Sequence, residues 1–423
     1  MRISPASVGS FLASAVMAQL AAAIAGLLLV RWMSVADYAL YTIGITMVGA
    51  IALLTRGGVR LGLAVALGKV WPDREAAAEA VDAAMRVRLL VSALTMPPLL
   101  AFTWFLLDRT GASTILSLSI LAILALAWLA DTQGAVIDQV LFFDRKALRV
   151  QGLDSTIAWA RLVVIALLRV AGAVSALTAL ATNLLASLAR VPVVRRWISQ
   201  SLEGCRRTAP PQTVTGMRNV ALRQIPVDLF VALQAQAAIY YLTVGGGGIE
   251  LATYGALARV AQLLAPFNAV ILAYFVPHFA QATDRIAARI LSYVAIGALP
   301  GAGLFVIALH APHVLLFFIG PAYSDQTWPL LVCAGMVALV SAVEVAVSLI
   351  SHRGWNRWGW VRIVLGLVWI GVAPNVLPVH TAAGAYLFYS GFSVGTVIAL
   401  LLELRSARQA GEIRFGRAEP QGA

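Results

Sequence analysis

The sequence predicts an all-α integral membrane protein, with about twelve transmembrane helices in two six-helix bundles related as repeats. Three observations predict it. Of 423 residues, 61% are hydrophobic and only 12% charged, with a mean hydropathy of +0.86. Soluble domains average roughly 45–50% apolar and about 25% charged residues, so lipid must be the solvent for much of this chain. Apolar runs of about 20 residues, enough to cross a hydrocarbon core of roughly 30 Å, recur along its length. The basic residues behind the net charge of +12 sit in short clusters between those runs, as topology-setting residues do, which argues against a nucleic-acid partner.

The first run, Phe11 to Val30, follows Met1-Arg2. It is too long for the core of a signal peptide and no polar domain follows, so it reads as a helix. The N-terminal six spans fall near 9–30, 38–55, 87–107, 114–138, 152–171 and 174–194. The C-terminal six fall near 219–243, 251–277, 287–309, 326–350, 360–378 and 382–402. The expected organisation is a bundle over 1–194, a basic cytoplasmic linker over 195–218 with Pro210-Pro211, a bundle over 219–402, and a cytoplasmic tail over 403–423.

Orientation follows from Arg and Lys. With the N-terminus inside, the cytoplasmic loops are 56–86, 139–151, 195–218, 278–286 and 351–359. Of 31 basic residues only Arg31 and Arg109 then lie clearly outside, with Arg169 near an outer helix end. Arg195, Arg196, Arg206 and Arg207 and the tail residues Arg405, Arg408, Arg414 and Arg417 fall inside, and both termini are expected in the cytoplasm. The outer loops are short. The longest non-apolar one, around His310–Gln326, still contains Leu315, Leu316, Phe317 and Phe318 and is expected along the membrane surface. A faint echo links the halves. Ala36-Asp37-Tyr38-Ala39-Leu40-Tyr41 opens the second span and Ala252-Thr253-Tyr254-Gly255-Ala256-Leu257 the eighth, a parallel-repeat plan used by transporters.

Charges inside spans cost roughly 2.5–3.5 kcal/mol at a helix centre and usually face a cavity or a partner. Asp131, Asp138, Asp154, Arg161, Arg169, Arg223, Asp228, Arg259 and Glu344 qualify. Arg223, Asp154 and Asp138 lie close enough to span ends to snorkel instead. Arg259 is about eight residues into its span, and an arginine offers a planar fork of donors suited to phosphate. It fits either a substrate cavity or an internal ion pair with Asp228 or Glu344. Arg161 and Arg169 are eight apart and share a helix face. Arg56 and Arg60, four apart, share another and serve as weaker candidates, with inner-leaflet anchoring as their alternative. Helix breaks are expected at Pro226, Pro266, Pro277, Pro300, Pro374 and Pro378. Pro226, beside Arg223 and Asp228, is either a gating kink or plain packing.

Other chemistry is poorly served. Gly245–Gly248 lacks the Lys-Ser/Thr of a phosphate loop and reads as a flexible outer turn. His278, His310, His313, His352 and His380 show no metal-binding spacing. Cys205 and Cys333 lie far apart and suggest neither a disulfide framework nor a metal site. No nucleophile-elbow motif is present. Trp355, Trp358 and Trp360 with Arg353, Arg357 and Arg362 read as an interfacial anchor.

The stretch Arg31-Trp32-Met33-Ser34-Val35-Ala36-Asp37-Tyr38-Ala39-Leu40-Tyr41 resembles the "R-x-L-s-x-x-e-Y-G-x-Y" signature of polysaccharide and O-antigen flippases, which belong to the multidrug/oligosaccharidyl-lipid/polysaccharide exporter superfamily. Leu316-Phe317-Phe318-Ile319-Gly320-Pro321-Ala322-Tyr323 resembles that family's "l-l-F-G-x-x-Y" turn. Helix count and the central basic loop agree along essentially the whole chain, while Ala39, where Gly is usual, and Met33 depart from the pattern. The resemblance implies a non-enzymatic bacterial inner-membrane transporter. It would flip a polyprenyl-pyrophosphate-linked oligosaccharide to the outer leaflet by alternating access, alongside other polysaccharide-assembly proteins. Arg259, Arg161 and Arg169 would meet the diphosphate in a low-dielectric cavity. With no ATP-binding motif and no cofactor expected, coupling would come from protons, sodium or the membrane potential, with Asp228 or Glu344 as titrating groups. A multidrug exporter would need an acidic cavity. A glycan polymerase or ligase would need a large outer loop, which this chain lacks.

Overall fold

The computed structural model describes residues 5–132, 134, 137–267, 271, 275, 279, 286–353, 355 and 357–409; of residues 5–8 and 12 only the backbone is described. The expected positions His278, Pro277, Arg414 and Arg417 lie outside these residues. The described chain is helical throughout and divides into two compact units, Met1–Ala256 and Leu257–Ala423.

In the first unit, α1 spans Pro5–Trp32. Ser34 then caps α2 (Val35–Val70): its Oγ accepts from the Asp37 backbone N–H at 3.1 Å and donates to the Asp37 carboxylate at 2.9 Å. This reciprocal cap satisfies donors that a helix start leaves open. Next come α3 (Arg74–Arg109), α4 (Thr114–Thr132), the short α5 (Gln139–Phe143), α6 (Ala147–Val170) and α7 (Ala176–Ser201). The last in this unit is α8 (Pro211–Tyr241). A π-helical turn, Leu242–Gly246, joins it to α9 (Gly247–Gln262), on which the division between the units falls. Helix α2 is flanked by α3 and α8, α1 packs on α6, and α4 packs on α7.

The second unit contains α10 (Ile286–His310), α11 (Pro312–Ile319), α12 (Thr327–His352), α13 (Gly359–Val376) and α14 (Ala382–Gln409). Helix α12 packs on both α10 and α14, and α13 packs on α14.

Ten of the described helices are long and apolar enough to cross a membrane. One of them is the continuous stretch Pro211–Gln262, which would measure roughly 78 Å as a straight helix and so is too long for one crossing. Its two halves meet at the π turn, where Gly247 at φ 77° and ψ −178° breaks the helix. Helix α6, which carries Arg149, Asp154, Arg161 and Arg169, is not among the ten. These two features account for the difference from the twelve expected spans. The protein is a multi-pass membrane protein.

Three expectations are corrected. The loop expected over 56–86 is helix on both sides of a three-residue turn. Arg56, Arg60, Lys69 and Arg86 end the hydropathy run but are good helix formers, and helix stops only where Pro72 and the capping Asp73 intervene. Asp73 accepts from the N–H groups of Glu75 and Ala76 at 2.9 and 3.1 Å. The glycine run at 245–248 is not a loop but the end of the π turn and the start of α9. The segment 195–218 is helix to Ser201 and again from Pro211, leaving 202–210 as the connection.

Both family-like motifs have a physical meaning. Tyr38 and Tyr41 are buried, and the Tyr38 hydroxyl donates to the Gly255 carbonyl at 3.2 Å. The two echoing segments thus touch each other inside the first unit. At the second motif Gly320 adopts φ 105°, open to glycine alone without strain. It ends α11, whose Leu315, Leu316 and Ile319 are buried while Phe317 and Phe318 are exposed.

Candidate functional site

The sequence places nine charges inside spans, and the structure sorts those of the first unit into two kinds. The first kind is neutralised internally. Asp131, at the end of α4, receives Arg88 Nη2 at 2.6 Å and lies 3.0 Å from Arg56 Nε. The Arg88 side chain has no exposed surface, and its Nη1 also donates to the carbonyls of Asp131 and Thr132 at 3.0 and 3.3 Å. It therefore caps the C-terminus of α4, where carbonyls lack helical partners. Arg190 on α7 bridges two carboxylates, with Nη2 3.1 Å from Asp138 and Nε 2.7 Å from Asp154. Arg60 faces Gln139, whose amide oxygen, once correctly oriented, accepts from Nε and Nη2 at 2.6 and 3.0 Å.

Neither Arg88 nor Arg190 stands out in the sequence. Arg88 sat at an assumed span edge, but α3 starts fourteen residues earlier. A signal did exist: Ala77, Ala80, Ala84, Arg88 and Val91 fall at three- and four-residue spacing on one face, and all are buried.

The second kind of charge meets no counter-ion among the described residues. Arg161, half-buried on α6, donates Nε to the Thr182 hydroxyl at 3.3 Å and Nη2 to the Tyr41 hydroxyl at 3.4 Å. Among the described residues no carboxylate pairs with it. Thr182 sits on α7 and Tyr41 on α2, so three helices converge on this guanidinium. Arg169, two turns on, is exposed and lies over the Trp32 ring, 6.0 Å from its centroid. The two arginines share a helix but have separate partners.

Asp228 on α8 is buried, 6% exposed. Its Oδ1 accepts from Gln224 Nε2 at 3.0 Å, while Oδ2 has no hydrogen-bond partner among the described residues. It packs directly on Gly57 of α2, where any Cβ would collide with the carboxylate. A Cβ at the neighbouring Gly58 would stand 2.7 Å from the Ala221 carbonyl. This glycine saddle is what lets α8 lay a carboxylate on α2. One helical turn and two turns further, the same face of α8 brings Ala232 and Gln236, and Gln236 donates to the Thr46 carbonyl at 3.3 Å. Arg223, five residues before Asp228, is exposed on another face and does not join it.

In the second unit Arg259 is half-buried and donates Nη1 to Gln262 Oε1 at 2.9 Å. Glu344 is exposed on α12, within electrostatic reach of Tyr389. An ionisable group within a span usually faces a cavity or a partner.

At the arginine-rich end of the first unit, outside the spans, Asp144 lies 2.7 Å from Lys146 Nζ and 3.4 Å from Arg74 Nη2. Burial pushes its carboxyl up. Hydrogen bonds from Lys146 and Ser201 and the charges of Lys146 and Arg74 outweigh this and hold it below the usual carboxylate range. Among the described residues no group of His, Cys, Asp and Glu is placed to hold a metal ion.

No protein-family model matches the sequence, and no curated protein matches it. Solved structures do. The chain is similar to the lipid II flippase MurJ in an inward closed conformation, with a TM-score of 0.68 at 10% identity, over 94% of this chain and 87% of that one. It is also similar to an inward-facing multidrug resistance MATE family transporter of the MOP superfamily, with a TM-score of 0.60 at 13% identity over 94% of both chains. A third likeness is to a MOP superfamily transporter from Pyrococcus furiosus, with a TM-score of 0.58 at 14% identity over 95% of both chains. The binding pocket of that protein is described as having reverse polarity, suggesting a different function. At these identities the likeness establishes the fold: an all-helical transporter fold shared with these proteins over nearly the whole chain.

Proposed function

We propose that this protein is a transporter that flips an anionic, polyprenyl-pyrophosphate-linked oligosaccharide from the inner to the outer leaflet of a bacterial plasma membrane. Its termini would lie in the cytoplasm, and other polysaccharide-assembly proteins would act on its product. The observation that carries the reading is Arg161. A guanidinium inside a span is costly, and the protein offers it two neutral hydroxyls at 3.3 and 3.4 Å instead of a carboxylate. Those long bonds leave further N–H groups of the fork available, matched in geometry to a diphosphate. An anionic cargo supplies the missing counter-charge. Arg169 and, at the periphery, Arg223 would extend the positive path, Arg259 is the candidate cation of the second unit, and Arg56 belongs to the ion-pair scaffold while Arg60 rests on Gln139. The shared fold with a lipid II flippase supports a lipid-borne cargo. No cofactor is invoked. Asp228 and Glu344 are the groups through which protons or sodium would couple, with the membrane potential acting on the same charges.

A second reading, export of cationic drugs, draws on the buried Asp228 and on the shared fold with MATE transporters. One comparison separates them. In proteoliposomes Arg161→Ala should slow flipping of a fluorescent polyprenyl-diphosphate oligosaccharide at least about tenfold, the scale of one good charge-assisted contact. Arg161→Lys should recover part of that loss. Unchanged flipping in Arg161→Ala, or drug efflux that survives it and fails in Asp228→Asn, favours the exporter.

A further inference from the structure

The end of the first unit where α3 begins and α7 finishes carries a cleft of about 680 Å³, lined by residues outside the proposed transport site. Its floor is apolar, with Val81 and Met85 from α3 and Ile198 from α7. Its rim is basic, with Arg195, Arg206 and Arg207.

The charges around it do not cancel. Asp82 on the wall already accepts from Arg86 Nε at 2.9 Å and from the Ala209 N–H at 2.8 Å. Arg207 is tied to Glu75 and lies 3.9 Å from Glu79, which pins the 202–210 connection to α3. Arg195 and Arg206 have no partner of any kind among the described residues. The N–H groups of Arg206, Arg207 and Thr208, which follow Gly204 at φ 74°, likewise donate to nothing described. A pinned wall thus presents two uncommitted guanidiniums and a row of backbone donors above a greasy floor. Planar arginine forks and successive backbone N–H groups are what phosphate oxygens select, and basic pockets at helix ends hold anionic head groups.

We propose that this cleft binds a phosphate-bearing anion, through Arg195, Arg206 and the 206–208 backbone, independently of the transport site. Its source is either a membrane lipid or a soluble phosphate compound, and the test distinguishes them. Cys205 lines the cleft and is half-buried, whereas Cys333 is 1% exposed. Alkylation of Cys205 by N-ethylmaleimide therefore reports occupancy, and silence of Cys333 reports the intact fold. The rate is measured on full-length protein in nanodiscs of phosphatidylcholine, with and without phosphatidylglycerol, and in detergent with and without inorganic diphosphate.

Protection should reach about tenfold when ligand exceeds its Kd about tenfold. Protection by phosphatidylglycerol identifies a lipid and protection by diphosphate a soluble anion. Either must vanish in Arg195→Ala/Arg206→Ala and persist in Arg196→Ala/Arg218→Ala, which removes the same charge outside the cleft. If Cys333 becomes reactive in the alanine variant, Arg195→Gln/Arg206→Gln replaces it. The proposal is overturned by no protection from either ligand, by protection that survives loss of Arg195 and Arg206, or by protection lost equally in the control.

Discussion

The Arg88–Asp131 pair gives the sharpest test of how this membrane protein handles buried charge. Arg88 is wholly inaccessible and makes three hydrogen bonds, one to the Asp131 carboxylate and two to the last carbonyls of α4. Asp131 is 21% exposed and keeps Arg56 as a second cation. Removing Asp131 leaves an enclosed cation facing only carbonyls, so Asp131→Leu should cost about 3–5 kcal/mol. Arg88→Leu leaves a carboxylate that Arg56 still neutralises and two unsatisfied carbonyls, a smaller loss of about 2–3 kcal/mol. In Arg88→Leu/Asp131→Leu neither orphan charge remains. The double variant should therefore be less destabilised than the sum by about 2–4 kcal/mol, a coupling within the range seen for contacting residues. Unfolding of the four proteins in mixed micelles, followed by tryptophan fluorescence, completes the cycle. Additivity within about 0.5 kcal/mol would refute the reasoning, because it would mean that Arg88 is solvated and unpaired.

Two further outcomes follow from packing and from titration. Gly58→Ala should destabilise by about 1–3 kcal/mol, because the new methyl meets Ala221 backbone atoms at 2.7 and 2.9 Å. Gly49→Ala on the same helix, with nothing within 4 Å, should be neutral or stabilise by up to about 1 kcal/mol; equal melting shifts would remove the close α2–α8 crossing. Asp144, whose folded carboxyl titrates below its ordinary range, contributes stability that is present above about pH 4 and fades as pH falls through the lowered value. Asp144→Asn should thus cost about 1 kcal/mol at neutral pH and nothing in strong acid, and a pH-independent difference would contradict the ion-pair account.

Hydropathy made the spans legible because it measures contact with lipid. It could not report where a helix continues into water, which is why residues 56–70 and 74–86 read as loop although they extend α2 and α3. The same blindness hid Arg88: its helix begins at Arg74, so what looked like a flanking residue is central. Asp131, Asp138 and Asp154 were visible as intramembrane charges, but their partners come from helices distant in sequence. Only packing reveals that Arg88 and Arg190 consume them. Arg161 was legible as a candidate. Its lack of a carboxylate was not, since that property belongs to everything around it.

Helix α2 is one uninterrupted rod, and it carries three dissimilar contacts in series. The Tyr41 hydroxyl touches Arg161, the glycines at 57 and 58 seat Asp228, and Arg56 leans on Asp131. Tyr41 and Gly57 are separated by roughly 24 Å of helix at 1.5 Å per residue. A stiff element of that length moves as a whole. A slide of one residue's rise stretches the hydroxyl contact at one end and, in the same stroke, opens or closes the space over the carboxylate at the other. The Arg161 contact and the Asp228 seat therefore share one element, so that any displacement of α2 along its axis registers at both.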